Sequence, residues 1–186
     1  MRNNSHIQAR SARDAALGVL FATVGALVLI GALGALAMLA PSAEAKALVN
    51  LDHRFPVPSS HTYGDGVGAG RGHQGQDLFA GCGKRVRAAR AGRVQFRGRH
   101  SQAGNYLVID GRNTRVDYVY MHLRGNALAR RGQRFETGER IAKVGQSGNA
   151  SGCHLHFEMW NAPGWYEGGT HMRRVTEHLR RWDRAD

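Results

Sequence analysis

Lysine is almost missing from this 186-residue sequence: there are 3 lysines against 23 arginines, and with 14 acidic side chains the formal charge is +12, histidines counted as neutral. No segment repeats at a period of 20–50 residues and no low-complexity block occurs, so solenoid and array architectures fall away. A serine- or proline-rich spacer leading to a second module is also lacking. The length suits one domain with appendages rather than two domains. A composition 42% hydrophobic and 22% charged excludes both a wholly disordered basic tail and a collagen-like fibre.

An excess of positive charge favours an anionic partner: nucleic acid, a membrane surface or an acidic cell-wall polymer. The first 45 residues decide among these by compartment. Arg2, Arg10 and Arg13 precede 26 residues without charge, Ala15 to Ala40, followed by Pro41-Ser42-Ala43-Glu44-Ala45. A basic start, an apolar middle and a small-residue Ala43-Glu44-Ala45 end define a secretory signal cut after Ala45. The apolar run exceeds the ~7–15 residues of a signal and reaches the ~20 that span a bilayer, so a retained membrane anchor is the alternative.

Either way residues 46–186 are expected outside the cytoplasm, with the basic flank inside. Three arginines and two acids go with residues 1–45, leaving 23 basic and 12 acidic side chains, or +11, on the exported part. Nucleic acid is thereby rejected as partner, also because no aromatics interleave with the arginines. Cys82 and Cys153, an even pair in an oxidising compartment, are expected to form a disulfide. A short linker is expected over 46–58, a domain over 59–164 and a helical extension over 165–186.

The domain reads as mainly β, an antiparallel sandwich or barrel-like fold. Gly92–Arg97, Asn105–Asp110, Arg115–His122 and Arg140–Val144 are rich in Val, Ile, Tyr and Phe and are separated by turn residues. Asp110-Gly111-Arg112-Asn113 marks a hairpin. Met172, Val175, Leu179 and Trp182 recur at helical spacing and predict a C-terminal helix with its apolar stripe on the sheet.

Three histidine-bearing segments carry the chemistry. In Gly72-His73-Gln74-Gly75-Gln76-Asp77 the glycines disfavour a helix, and as extended chain His73, Gly75 and Asp77 share a face with no Gly75 side chain to block an ion. A glycine-rich turn in which Asp77 merely holds a surface histidine explains this motif equally well. Cys153-His154-Leu155-His156-Phe157-Glu158-Met159 alternates, putting His154, His156 and Glu158 on one face and Cys153, Leu155, Phe157 and Met159 on the other. A pair of imidazoles on the polar face of such a strand is a metal-site element, and Cys153, pointing away, suits the disulfide rather than a thiolate ligand. His122 ends the apolar run Tyr118-Val119-Tyr120-Met121.

His73, Asp77 and one of His154 and His156 would give three N/O ligands, leaving the fourth position of a catalytic Zn2+ ion to water or substrate. The two remaining imidazoles suit proton transfer and oxyanion stabilisation, so hydrolysis of an amide-like bond is the expected reaction. The spacing does not choose between His154 and His156 as ligand.

These motifs closely resemble the lysostaphin-like (LytM-type) peptidoglycan zinc metallopeptidases, whose pattern is His-x-x-x-Asp, an isolated histidine in Tyr-x-His-Leu, and His-x-His before Phe-Glu. Here they read His73–Asp77, Tyr120-Met121-His122-Leu123 and His154-Leu155-His156-Phe157-Glu158. The likeness runs from about His61 to Trp160, through Arg87–Val94, Gly104–Asp110 and Gly145-Gln146-Ser147-Gly148. It implies a β-rich fold of duplicated hybrid motif type, zinc held by His73, Asp77 and His156, and His122 and His154 as the catalytic pair. It also implies hydrolysis of stem peptides or cross-bridges of peptidoglycan.

Gln76 departs from the aliphatic residue that many members carry before the aspartate. The family also includes members without their ligands that bind the wall or activate other hydrolases; all five positions are present here. Anionic wall polymers and lipid head groups are the expected counter-charge for +11. The remaining histidines lack a partner pattern, although His61 and Asp65 stand near enough in sequence to shape a substrate loop.

Overall fold

The computed structural model describes residues 52–70, 72–125 and 128–186. The expected signal or anchor over 1–45 lies outside the described residues. Among those described, no helix is long and apolar enough to cross a membrane.

Among the described residues, nine strands and one helix follow in order: β1 Thr62–Tyr63, β2 Gln76–Phe79, β3 Arg85–Arg87, β4 Gly92–His100, β5 Gly104–Gly111, β6 Val116–Leu123, β7 Arg134–Phe135, β8 Arg140–Lys143, β9 His154–Asn161 and α1 Val175–Asp183. The expected strand runs all form. A seven-stranded antiparallel sheet takes the order β1-β2-β9-β6-β5-β4-β7, while β3 and β8 pair as a separate ribbon. The hairpin at Gly111–Asn113 joins β5 to β6, with Asp110 opposite Asp117 and Asn113 in the left-handed conformation at φ 57°, a region that asparagine tolerates.

Period-2 alternation decides what each face of the large sheet meets. Leu78, Leu107, Ile109, Tyr118, Tyr120, Leu155, Phe157 and Met159 point to one side. There they share a single core with Val86 and Ile141 of the ribbon and Val175, Leu179 and Trp182 of α1. Val108, Val119 and Met121 point to the other side and pack with Trp165 in a smaller cluster. The result is the expected mainly β sandwich, with one face of the large sheet buried and the other partly open.

Two boundaries differ from expectation. The described part of the segment read as a linker is built into the core: Phe55 and Val57 are completely buried, and His53 stacks on Trp182 with ring centroids 4.7 Å apart. The C-terminal segment is likewise part of the same core rather than an extension of it. Its helix begins after Met172, whose amide donates to the Met159 carbonyl (2.7 Å) while His171 bridges to Trp160. That residue is held as extended chain against β9, which is why the apolar periodicity starts one turn before the helix does. Glu177 in the first turn and Arg180 and Arg181 in the last complement the helix dipole.

Candidate functional site

β9 runs between β2 and β6, and this placement assembles the site. Asp77 stands directly opposite His156, Phe79 opposite His154, and Met121 of β6 opposite His156 on its other side. Because cross-strand partners share a face, Asp77, His154 and His156 meet on the side of the sheet away from the main core.

His73 arrives by another route. β2 starts only at Gln76, so His73 does not alternate with Asp77 as extended chain. It sits on the loop from Gly66, closed by hydrogen bonds from Gly68 N to His73 O (2.7 Å) and from His73 N to Ala69 O (3.1 Å). Gly75 also has a different reason from the one its spacing suggested. A Cβ there would overlap the Phe157 carbonyl oxygen and stand 2.7 Å from His156 Nε2. The glycine makes room for the neighbouring strand and imidazole, not for an ion.

His122 owes its direction to a bulge. Strict alternation would turn it to the core face with Tyr118 and Tyr120. The β5–β6 register shifts between Asn105 and Leu107, so that Met121 and His122 together occupy one step of the ladder, and His122 adopts φ 60°. Such bulges re-aim side chains. Here the ring comes 4.6 Å from that of His154, centroid to centroid, and 5.9 Å from that of His156.

Hydrogen bonds to backbone carbonyls fix which nitrogen is free in three of the four rings. A backbone carbonyl only accepts, so His73 Nδ1–H donates to Gly66 O (2.9 Å), His122 Nδ1–H to Ser147 O (2.8 Å) and His154 Nδ1–H to Gly152 O (2.9 Å). His156 has a carboxylate at each nitrogen, Glu158 Oε1 at Nε2 (2.8 Å) and Asp77 at Nδ1, and in its neutral form with Nε2–H on Glu158, whose other oxygen accepts from Trp160 Nε1 (2.6 Å), it is oriented the other way. His73 Nε2 and His156 Nδ1 are then left as lone-pair donors, and they stand 3.1 Å and 2.9 Å from Asp77 Oδ1.

Three electron-pair donors so arranged, with ligand atoms all within 4.8 Å of one another, require a cation or an added proton between them. Burial lowers the basicity of His156, yet hydrogen bonds and charge from Asp77 and Glu158 outweigh it and raise its pKa to about 9. Burial would raise the Asp77 pKa, but the hydrogen bond and charge of His156, with His154 and His73, bring it down. The pocket favours positive charge, and its N, O, N donor set is one that zinc accepts. The geometry also separates the two candidates left open by spacing: His156 joins the cluster, while the His154 ring nitrogen lies farther, 3.7 Å from Asp77 Oδ1.

His122 is held neutral. Burial lowers its pKa to about 4, with the charges of His154 and His156 in the same direction and the Ser147 hydrogen bond opposing. The disulfide forms as expected: Cys82 and Cys153 are bonded, Cα atoms 5.2 Å apart, clasping the ends of β2 and β9 beside Phe79 and His154. His61 is tied to the core side of the domain. It packs on Phe55 and faces Asp183 of α1 (3.3 Å).

Residue patterns gave no role to the groups that hold the imidazoles. Gly66 O, Ser147 O and Gly152 O are backbone atoms and leave no mark on residue identity. The one signal was Gly145-Gln146-Ser147-Gly148, whose glycines allow close approach: a Cβ at Gly145 would stand 2.6 Å from His122 O, and one at Gly148 would overlap Gly104 N. Ser147 Oγ completes the support, donating to Leu123 O (2.9 Å) and accepting from Asn105 N (2.9 Å).

A chain with this sheet, cluster and imidazole pair falls in the class of β-rich metallopeptidases. Residues 71–172 match the model of peptidase family M23, and the chain belongs to that family. It is 38% identical over 87 residues to peptidoglycan DD-endopeptidase ShyB of Vibrio cholerae, a match that covers 47% of this chain and 20% of ShyB. This chain therefore spans about a fifth of that relative's length. A zinc-containing peptidase of Vibrio cholerae superposes with TM-score 0.53 and 33% identity, covering 57% of this chain and 36% of that one. The catalytic domain of lysostaphin from Staphylococcus simulans shares the fold, with TM-score 0.58 and 24% identity, covering 64% of this chain and 92% of that domain.

Proposed function

We propose that this chain is a zinc-dependent endopeptidase that cleaves peptide bonds in the stems or cross-bridges of peptidoglycan. It acts outside the cytoplasm, either secreted or tethered by residues 1–45. The observation that carries this reading is the convergence of His73 Nε2, Asp77 Oδ1 and His156 Nδ1, with both imidazoles turned inward by partners outside the cluster. The family, the name of the ShyB relative and the zinc-containing relative support it.

His73, Asp77 and His156 would hold one Zn2+, which supplies Lewis-acid polarisation and brings the pKa of water from ~15.7 to about 7. The chain's own imidazoles handle the protons. Neutral His122, its Nδ1–H fixed on Ser147 O, presents a free Nε2 able to accept a proton from the attacking water. His154, anchored in the same sense on Gly152 O, presents its Nε2 beside it. The imidazolium formed by that transfer steadies the charge that builds on the carbonyl oxygen, and as the scissile C–N bond breaks it gives the same proton to the departing amine, which leaves the pair neutral again. The +11 of residues 46–186 favours dwelling among anionic wall polymers and lipid head groups.

Zinc analysis with activity measured on purified peptidoglycan tests this. Wild type is expected to bind one zinc per chain and release new amino termini, His156→Ala to lose both, and His122→Ala to keep zinc without turnover. Wall binding without cleavage by the zinc-loaded wild type would overturn the enzymatic reading.

A further inference from the structure

Gln76 lies on the face of β2 turned away from the metal cluster, where alternation and burial call for an apolar side chain. It is 2% exposed, and its amide is fully used. Nε2 donates to the carbonyls of Gly64 (3.0 Å), Asp65 (3.1 Å) and Asp77 (3.0 Å), and Oε1 accepts from Thr176 Oγ1 at 2.6 Å. Thr176 belongs to the first turn of α1, beyond the residues 71–172 that match the family model.

The three carbonyls bracket the segment that orients the ligands. Asp77 N donates to Asp65 O and Gly64 N to Asp77 O, which zips residues 64–65 to the ligand strand. The next residue, Gly66, supplies the carbonyl that fixes the His73 ring. A Cβ on Gly66 would lie 3.3 Å from Gln76 Oε1 and 3.5 Å from Thr176 Oγ1, so the glycine sits against the amide–hydroxyl pair itself. A continuous path runs from α1 through Thr176 and Gln76 to Gly66 O and His73.

We infer that Gln76 and Thr176 are positioning residues for the zinc site: the C-terminal helix sets, through the Thr176–Gln76 hydrogen bond, the loop whose carbonyl orients His73. This rests on the zinc reading above. Without the threonine hydroxyl, Gln76 Oε1 is left buried without its partner. The amide then loses the contact that holds its oxygen end, which loosens its grip on the Gly64 and Asp65 carbonyls and with them the Gly66 anchor. A side chain that only filled core space would leave zinc affinity unchanged.

The test is zinc affinity, read by competition with a chromophoric chelator, for the full chain and its Thr176→Val and Thr176→Ser variants. All three are compared at a temperature where circular dichroism shows each fully folded. Valine keeps the shape and removes the hydroxyl, whereas serine keeps the hydroxyl and removes a methyl group. The expected result is a zinc dissociation constant about tenfold higher for Thr176→Val, in the range typical of groups that orient metal ligands, with Thr176→Ser close to wild type. Wild-type affinity in Thr176→Val, or equal losses in both variants, would overturn the inference while leaving the zinc reading intact. Failure of the wild-type chain itself to bind zinc would instead overturn that reading.

Discussion

Glu158 holds His156 by its Nε2 at 2.8 Å and so leaves Nδ1 as the atom that faces Asp77. The carboxylate is itself buried at 3% exposure and braced by Trp160, so the ring has one orientation. Carboxylates in this position typically contribute 10–100-fold to metal affinity. Glu158→Gln is therefore expected to raise the zinc dissociation constant by about that factor. Isothermal titration with zinc checks it, and an unchanged affinity would show that the ring needs no such brace.

His122 depends on a different support. Gly148 has φ 75°, and a Cβ there would overlap Gly104 N, so Gly148→Ala combines about 1–2 kcal/mol of backbone strain with displacement of the Ser147 carbonyl that anchors the ring. The expected phenotype is selective: kcat falls tenfold or more while zinc content stays at one per chain. Parallel zinc analysis and turnover on peptidoglycan separate this from loss of the metal.

The Cys82–Cys153 bridge closes 71 residues of sequence separation, for which loop entropy predicts stabilisation of about 4 kcal/mol. Cys82→Ser with Cys153→Ser should lower the urea midpoint accordingly. The oxidised protein should be two hydrogens lighter than the reduced one by mass spectrometry.

His53 offers a pH signature away from the metal. Burial lowers its pKa from 6.5 to about 4, with Arg90 adding to the shift and Asp52 opposing it. Its ring stacks on Trp182 and is bonded to Tyr118 OH (2.9 Å). With the folded value below the unfolded one, the unfolded chain binds the proton first. The stability that His53 contributes is therefore complete above about pH 6.5 and is lost as the pH falls towards 4. His53→Phe should be less stable than wild type at pH 7, by about the 1 kcal/mol of a hydrogen bond, and should close or reverse that gap at pH 4.5. Thermal unfolding at the two pH values measures this.

The alternation of Cys153 to Met159 is read correctly from sequence because a half-buried strand displays its period directly, and with it came β9, the face shared by His154 and His156, and the direction of Cys153. His73 and His122 were recognisable as residues but not in their geometry. One depends on loop closure through backbone carbonyls, the other on a bulge that breaks the very period used to read strands. Phe55 and Val57 were hidden in a segment too short and irregular to show any period, although they are among the most buried side chains. Gln76 was legible only as a departure from an aliphatic pattern, since its partners are three carbonyls and a threonine 100 residues away.

On the proposed function, the inward-facing donors of His73, Asp77 and His156 hold a zinc ion that serves peptide-bond cleavage. Mass spectrometry of the soluble products after zinc-loaded protein is incubated with purified peptidoglycan tests it most directly. Wild type is expected to release fragments carrying new amino termini at a single type of peptide bond, with release abolished by chelator, restored by zinc and absent in His156→Ala. Identical fragment patterns for wild type and His156→Ala, or no fragments from the zinc-loaded wild type, would contradict it.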